Sequence, residues 1–306
     1  MKTKSILLAA LATATALWAM PASAGEIFVA QNNSGTIGSG TIAAYTTEGV
    51  LLNASLITGL SGPNGIAVSG TDLYVANTNN GTIGKYSISG ATINASLITG
   101  LTSPVGIAVS GSDLYVTNNV AAGSGTIGHY TTSGATVNAA LFSGQPGGQD
   151  SIAVSGTDLF VTHNDIATVG KYTTSGTTVN ASLISGFGTP YGVVVDGTDL
   201  YVTGNVTHVI GKFTTSGATV NAALVSEPSG PGFEKIDVFG GNLYVVNGLG
   251  MIGKYTTSGS TVDASLITGL NGAIAIAVIP EPSTFALGIL GGLSLIAFGR
   301  RLGRKR

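Results

Sequence analysis

Two acids and two carboxamides stand out in this weakly charged sequence because they interrupt its internal repetition. Asp150 and Glu234 occupy one repeat-equivalent position, where other copies carry Asn64, Val105, Tyr191 and Ile274. Asn77 and Asn118 occupy a second, shared with Gln31, His163, Gly204 and Asn247. Carboxylate and carboxamide oxygens gathered at one point suit a hard cation, Ca²⁺ or another divalent ion, which takes roughly six to eight oxygen ligands. An asparagine directly after a strand has a simpler use, bonding the backbone of the turn it begins, and that reading stands beside the first. Other chemistries lack their parts. The chain has no cysteine, its three histidines are scattered, and no Ser-His-Asp set appears.

Whether these residues can meet depends on the elements that carry them. The phrase IAVSGTDLYVANTNNGTIGKYSISGATINASLITGL, residues 66–101, returns four more times with small changes. Each copy reads as four short strands, here residues 66–69, 73–77, 82–87 and 91–98, in which apolar alternation is broken by turns such as Ser-Gly-Thr-Asp. The leading hydrophobe of the second strand falls at Ile27, Leu73, Leu114, Leu159, Leu200 and Leu243, a spacing of 41 to 46 residues. Four strands in each of six copies predict an all-β fold, a six-bladed β-propeller over residues 25–279. The domain opens on a second strand, EIFVA, and closes on an inner strand, AIAIAV. Residues 276–278 are therefore expected beside residues 27–30, completing a blade from both ends and leaving no free edge.

The recurring DLYVANTNN resembles the DLYVAD-x-x-N phrase of NHL-type and gluconolactonase-type six-bladed propellers, with Asn77 where that phrase usually carries Asp. The resemblance implies the same fold for residues 25–279. Gluconolactonases hold a divalent metal at the channel with a Glu, two Asn and an Asp. Glu234, Asn118, Asn77 and Asp150 are similar in type, but their order and spacing do not match the family's.

Most other conspicuous side chains recur once per blade and belong to the scaffold. Asp72, Asp113, Asp158 and Asp199 share one turn position, where a carboxylate bonds local backbone. Tyr45, Tyr86, Tyr130, Tyr172, Phe213 and Tyr255 recur as inter-blade packing. Lys85, Lys171, Lys212 and Lys254 precede that aromatic, and His129 replaces the lysine in its blade. The Asn-x-Ser/Thr sequences at Asn53, Asn94 and Asn180 repeat one strand position, so strand placement explains them as well as glycosylation does.

Both ends differ in composition from the repeats. Residues 1–24 place Lys2 and Lys4 before an apolar stretch and finish in Ala22-Ser23-Ala24, the pattern of a cleavable signal peptide. Residues 284–299 are apolar and uncharged, and five cations follow: Arg300, Arg301, Arg304, Lys305 and Arg306. As a helix that run spans about 24 Å, and flanking Ser283 with snorkelling arginines completes a membrane crossing of roughly 30 Å. The basic tail sets it on the cytoplasmic side, with everything before it outside. Pro280-Glu281-Pro282 fixes a rigid extended carboxylate just above that span. Together, residues 280–306 resemble the PEP-CTERM sorting signal of exported proteins in Gram-negative bacteria that make exopolysaccharide. The resemblance implies recognition of Pro280, Glu281 and Pro282 by a membrane-embedded exosortase that removes the anchor. Signal peptidase and exosortase are thus the expected processing enzymes, with the inner membrane a transient partner before release to the cell surface or medium.

Between the ends, residues 25–279 hold five lysines, no arginine and thirteen acids, a net charge of −8. That balance argues against nucleic acid and anionic lipid surfaces, which need a basic face. Two functions fit. The propeller is a non-catalytic binding or extracellular-matrix module that contacts polysaccharide or an envelope protein, or it is a metal-dependent, gluconolactonase-like hydrolase or lyase acting at the channel mouth.

Overall fold

In a computed structural model, residues 25–33, 36–119, 125–145 and 148–279 are described; the expected signal peptide, Pro280-Glu281-Pro282, apolar span and basic tail lie outside them. Short apolar runs separated by glycine turns build twenty-four antiparallel strands. The chain opens with β1 (Glu26–Gln31), β2 (Gly40–Thr46) and β3 (Leu51–Leu60). Blade 2 holds β4 (Pro63–Ser69), β5 (Asp72–Asn77), β6 (Thr82–Ser87) and β7 (Thr92–Ile98). Blade 3 holds β8 (Pro104–Ser110), β9 (Asp113–Asn118), β10 (Gly125–Thr131) and β11 (Thr136–Gln145). In blade 4 follow β12 (Gln149–Ser155), β13 (Asp158–His163), β14 (Thr168–Thr173) and β15 (Thr178–Ser185). Blade 5 comprises β16 (Pro190–Asp196), β17 (Asp199–Gly204), β18 (Val209–Thr214) and β19 (Thr219–Ser226). Blade 6 comprises β20 (Phe233–Phe239), β21 (Asn242–Asn247), β22 (Ile252–Thr256) and β23 (Thr261–Ile267). The last strand, β24 (Ala273–Ile279), joins β1 to β3 as the inner strand of blade 1.

Closure follows the expected pairing over a longer register. Ile27 faces Val278, Phe28 faces Ala277 and Val29 faces Ile276, and the ladder runs from Glu26–Ile279 to Gln31–Ala273. The inner strands β4, β8, β12, β16, β20 and β24 touch in turn around a central channel of about 310 Å³. Apolar faces of adjacent blades meet between them. Ala67 and Tyr74 of blade 2, for example, pack on Ile107 and Leu114 of blade 3. The once-per-blade aromatics sit in these seams as expected, from Tyr86 between blades 1 and 2 to Tyr255 between blades 5 and 6.

The ladder also fixes which way the ends point. Ala273 pairs with Gln31 at the channel end where the inner strands begin, whereas Ile279 pairs with Glu26 at the opposite end. Gly25 and Ile279 thus lie together on one face, with Gly25 so close to the Ile279 carbonyl that a side chain there would collide with it. Among the described residues no helix is long and apolar enough to cross a membrane.

Because Ile276 is buried against Ile27, Val29 and Ile252, Ile276→Ala should destabilise the domain by about 2–5 kcal/mol. Removal of residues 272–279 should expose the β1 edge and lower the melting temperature far more than trimming an exposed loop does. A truncated domain that melts like the intact one would show that β24 does not close the ring.

Candidate functional site

Asp150, Glu234 and their equivalents lie at one structural feature, a β-bulge near the start of every inner strand. Pairing skips Asn64 between Pro63 and Gly65 in blade 2, and Tyr191 between Pro190 and Gly192 in blade 5. It skips two residues in blades 3, 4 and 6: Val105 with Gly106, Asp150 with Ser151, and Glu234 with Lys235. Ile274 is the skipped residue of β24. These residues were expected just before the strands; they lie inside them, and the extra bulge residue turns each out of the ladder. Asn64, Val105, Asp150 and Lys235 line the channel.

Buried threonines hold the bulges of blades 3, 4 and 5 in shape. Thr117, Thr162 and Thr203, all fully buried, accept hydrogen bonds from the N–H groups of Gly106 (2.8 Å), Ser151 (2.9 Å) and Gly192 (2.8 Å). The Thr203 hydroxyl also donates to the Glu234 carbonyl, tying blade 5 to the blade 6 bulge. That approach requires a glycine: a Cβ on Gly192 would stand 2.6 Å from the Glu234 oxygen. In blade 6 the threonine is replaced by Val246, and the small residue of the bulge by Lys235.

Lys235 is the centre of the cluster. Its ammonium donates to the Asp150 backbone carbonyl and lies close enough to the Asp150 and Glu234 carboxylates to feel both charges. Burial lowers the lysine pKa, and the two carboxylates partly restore it. Burial likewise raises the pKa of Asp150 and of Glu234, against the opposing pull of Lys235. The Asn164 amide donates to Asp150 Oδ2. Tyr191 joins the group from blade 5, its phenol held in the neutral form first by burial and then by the Asp150 and Glu234 charges. Acceptors and donors thus alternate across blades 4 to 6, while blades 1 to 3 contribute Ile274, Asn64 and Val105 at the equivalent points.

Deeper in the channel, Asp237 stands on β20 where other blades carry Ala67, Ala108, Ala153, Val194 and Ala277. Its Oδ1 accepts from the Val238 N–H (2.8 Å) and its Oδ2 from the Val278 N–H of β24 (2.7 Å), a bridge from blade 6 to the closing strand. Burial pushes its pKa up to about 6, and the two N–H groups only partly oppose the rise.

The residues singled out in sequence divide between places. Asp150 and Glu234 flank Lys235. Asn77 and Asn118 are buried inside their blades, donating to Thr82 (3.4 Å) and Thr126 (3.1 Å), with Oδ1 of each left without a partner. Asn247 bonds the Leu249 and Met251 N–H groups (both 3.1 Å), the loop-bonding role expected of an amide after a strand. Among the described residues no group of three or more His, Asp or Glu is arranged to hold a metal ion. The turn aspartates differ from expectation. Asp72, Asp158 and Asp199 pair with Lys85, Lys171 and Lys212, and Asp113 with His129, each at 2.8 Å and all on the face away from the mouth. The ammonium of each of these lysines also stands over an aromatic ring, 5.4 Å from its centroid. Lys235, Asp237 and Asn164 were missed. Lining up inner strands residue by residue reveals the first two, since only β20 carries charge where its counterparts are small or aliphatic.

The chain is an all-β, six-bladed propeller with four-stranded blades. No protein-family model matches its sequence, and neither does any curated protein. Solved structures share the fold. A chain of the nidogen/laminin complex superposes with a TM-score of 0.64 at 17% identity, over 83% of this chain and 98% of that one. A catalytically inactive histidine-to-alanine variant of virginiamycin B lyase from Staphylococcus aureus, solved with quinupristin, gives 0.54 at 20% identity, over 80% and 83%. Selenomethionine-substituted virginiamycin B lyase from the same organism gives 0.51 at 20% identity, over 72% and 70%.

An acid whose pKa is higher folded than unfolded binds its proton more tightly in the folded state. Its stabilisation is complete below the unfolded value, near 3.8, and is lost as pH rises through about 6. Thermal melts should therefore show wild-type stability falling between pH 4 and 6.5 by on the order of 3 kcal/mol more than that of Asp237→Ala. Asp150 and Glu234 shift in the same direction, so a smaller slope should persist in the variant. Equal slopes for the two proteins would contradict a buried, proton-binding Asp237.

Proposed function

We propose that this protein is an exported propeller that binds a hydroxyl-rich polysaccharide or glycan at its channel mouth and performs no catalysis. The observation that carries the reading is the mixed polar set on blades 4 to 6. Asp150 and Glu234 accept, Lys235 donates, and Asn164 and Tyr191 do both. A sugar hydroxyl also donates and accepts at once, so such a set satisfies it without demanding a counter-charge. The acidic domain, with its five lysines, disfavours strongly anionic polymers.

Export and sorting rest on residues 1–24 and 280–306 and belong to the same proposal: signal peptidase releases residue 25, an exosortase reads Pro280-Glu281-Pro282, and the propeller reaches the cell surface or medium. The fold suits that route. Both described ends lie on the face opposite the mouth, so an anchored propeller turns its mouth outward, and cleavage after β24 leaves the ring complete.

Hydrolase or lyase action at the same mouth is the second reading. It is favoured by a half-buried lysine held toward its neutral form beside two carboxylates held toward their acid forms, a constellation that suits proton transfer.

Calorimetric titration of the purified domain with a panel of neutral polysaccharides should give saturable binding that Asp150→Asn with Glu234→Gln weakens at least tenfold. No new reducing ends should appear on prolonged incubation. Binding that ignores both substitutions would place the ligand elsewhere, and turnover would establish the enzymatic reading instead.

A further inference from the structure

On one inner strand only, the channel carries charged side chains at two successive inward positions, a polar track of Lys235 and Asp237. Along β20, Glu234 and Lys235 lie in the bulge and Asp237 stands two residues further in, about 7 Å along the strand. Diametrically opposite in the ring, β8 offers Val105, Gly106, Ile107, Ala108 and Val109, without a polar side chain. Neither end of the track is saturated: the Lys235 ammonium has three N–H groups and one acceptor, the Asp150 carbonyl, and each Asp237 oxygen accepts a single N–H. Five blades carry nothing larger than valine at the Lys235 and Asp237 positions, so no packing requirement of the repeat explains the charges.

We infer that the ligand enters the channel end-on and seats a single terminal pyranose between β20 and β8, which deepens the saccharide reading above and rests on it. A pyranose has hydroxyls around its rim and an apolar C–H face. The rim meets Lys235 and Asp237, while the C–H face lies toward Val105 and Ala108. The channel, about 310 Å³, has room for one ring near its mouth, whereas a polymer lying across the face would meet the bulge residues and leave Asp237 unused. The propeller thus recognises chain ends and free monosaccharides.

Saturation-transfer NMR with glucose, galactose, mannose, rhamnose and N-acetylglucosamine tests this directly. At least one free monosaccharide should bind, and Lys235→Met and Asp237→Ala should each weaken it at least tenfold while leaving the domain folded by circular dichroism. If Lys235→Met does not fold, Lys235→Gln carries the same expectation. Binding of long polymers only, weakened by Lys235→Met but not by Asp237→Ala, would place the ligand across the mouth; that result overturns end-on entry and leaves the saccharide reading intact. If neither monosaccharides nor neutral polymers bind, both fall together.

Discussion

Everything in this molecule depends on one pairing, that of the last strand with the first. A blade has two edges, and the inner strands close a channel only when all six are present; β24 against β1 supplies the sixth from the far end of the chain. Without it the inner face of blade 1 would be open, and Ile27 and Val29 would lose Ile276 and Val278 as neighbours. The same pairing sets the polarity of the domain. It gathers both described ends on one face and leaves the bulges, with their irregular side chains, on the other. Asp237 adds a cross-blade tie to this closure by accepting the Val278 N–H.

Symmetry then determines where function can reside. Seam aromatics repeat because every blade meets its neighbour alike, and Asp-Lys pairs and positive-φ glycines such as Gly70, Gly111 and Gly156 repeat because the blades share one internal build. A residue that serves the scaffold has no reason to differ in one blade. Asp150, Tyr191, Glu234, Lys235 and Asp237 do differ, and they fall on three adjacent blades rather than at random around the ring. At all of these except Asp237, which pairs with Tyr244, the β-bulge permits the variation because a bulged residue is outside the ladder and can change without disturbing a hydrogen bond.

Blade number, strand order, the closing pair and the seam aromatics were legible in the sequence because each is written several times over in a repeat of 41 to 46 residues. Asp150 and Glu234 were legible as departures from it. Lys235 and Asp237 were not, since each reads as an ordinary surface charge until the inner strands are aligned at their bulges. The turn aspartates were legible in position but not in role. A carboxylate at a hairpin and a lysine on the next strand, 13 residues apart in Asp72 and Lys85, meet only once the register of β5 on β6 is fixed. The amides of Asn77 and Asn118 fall at the expected strand ends yet bond within their own blades, because the residue facing each across the ladder is a threonine.

If the repeat carries the fold and its departures carry the site, the two can be separated by experiment. The decisive measurement gives β20 the residues of β8, through Glu234→Val, Lys235→Gly and Asp237→Ala together, and follows melting temperature and saccharide binding on the same protein. The expected result is a propeller that melts within a few degrees of the original, or higher, since three half-buried charged groups are gone, and that no longer binds its ligand. Retention of full affinity by this variant would contradict the assignment of the site to the bulge and track of blade 6.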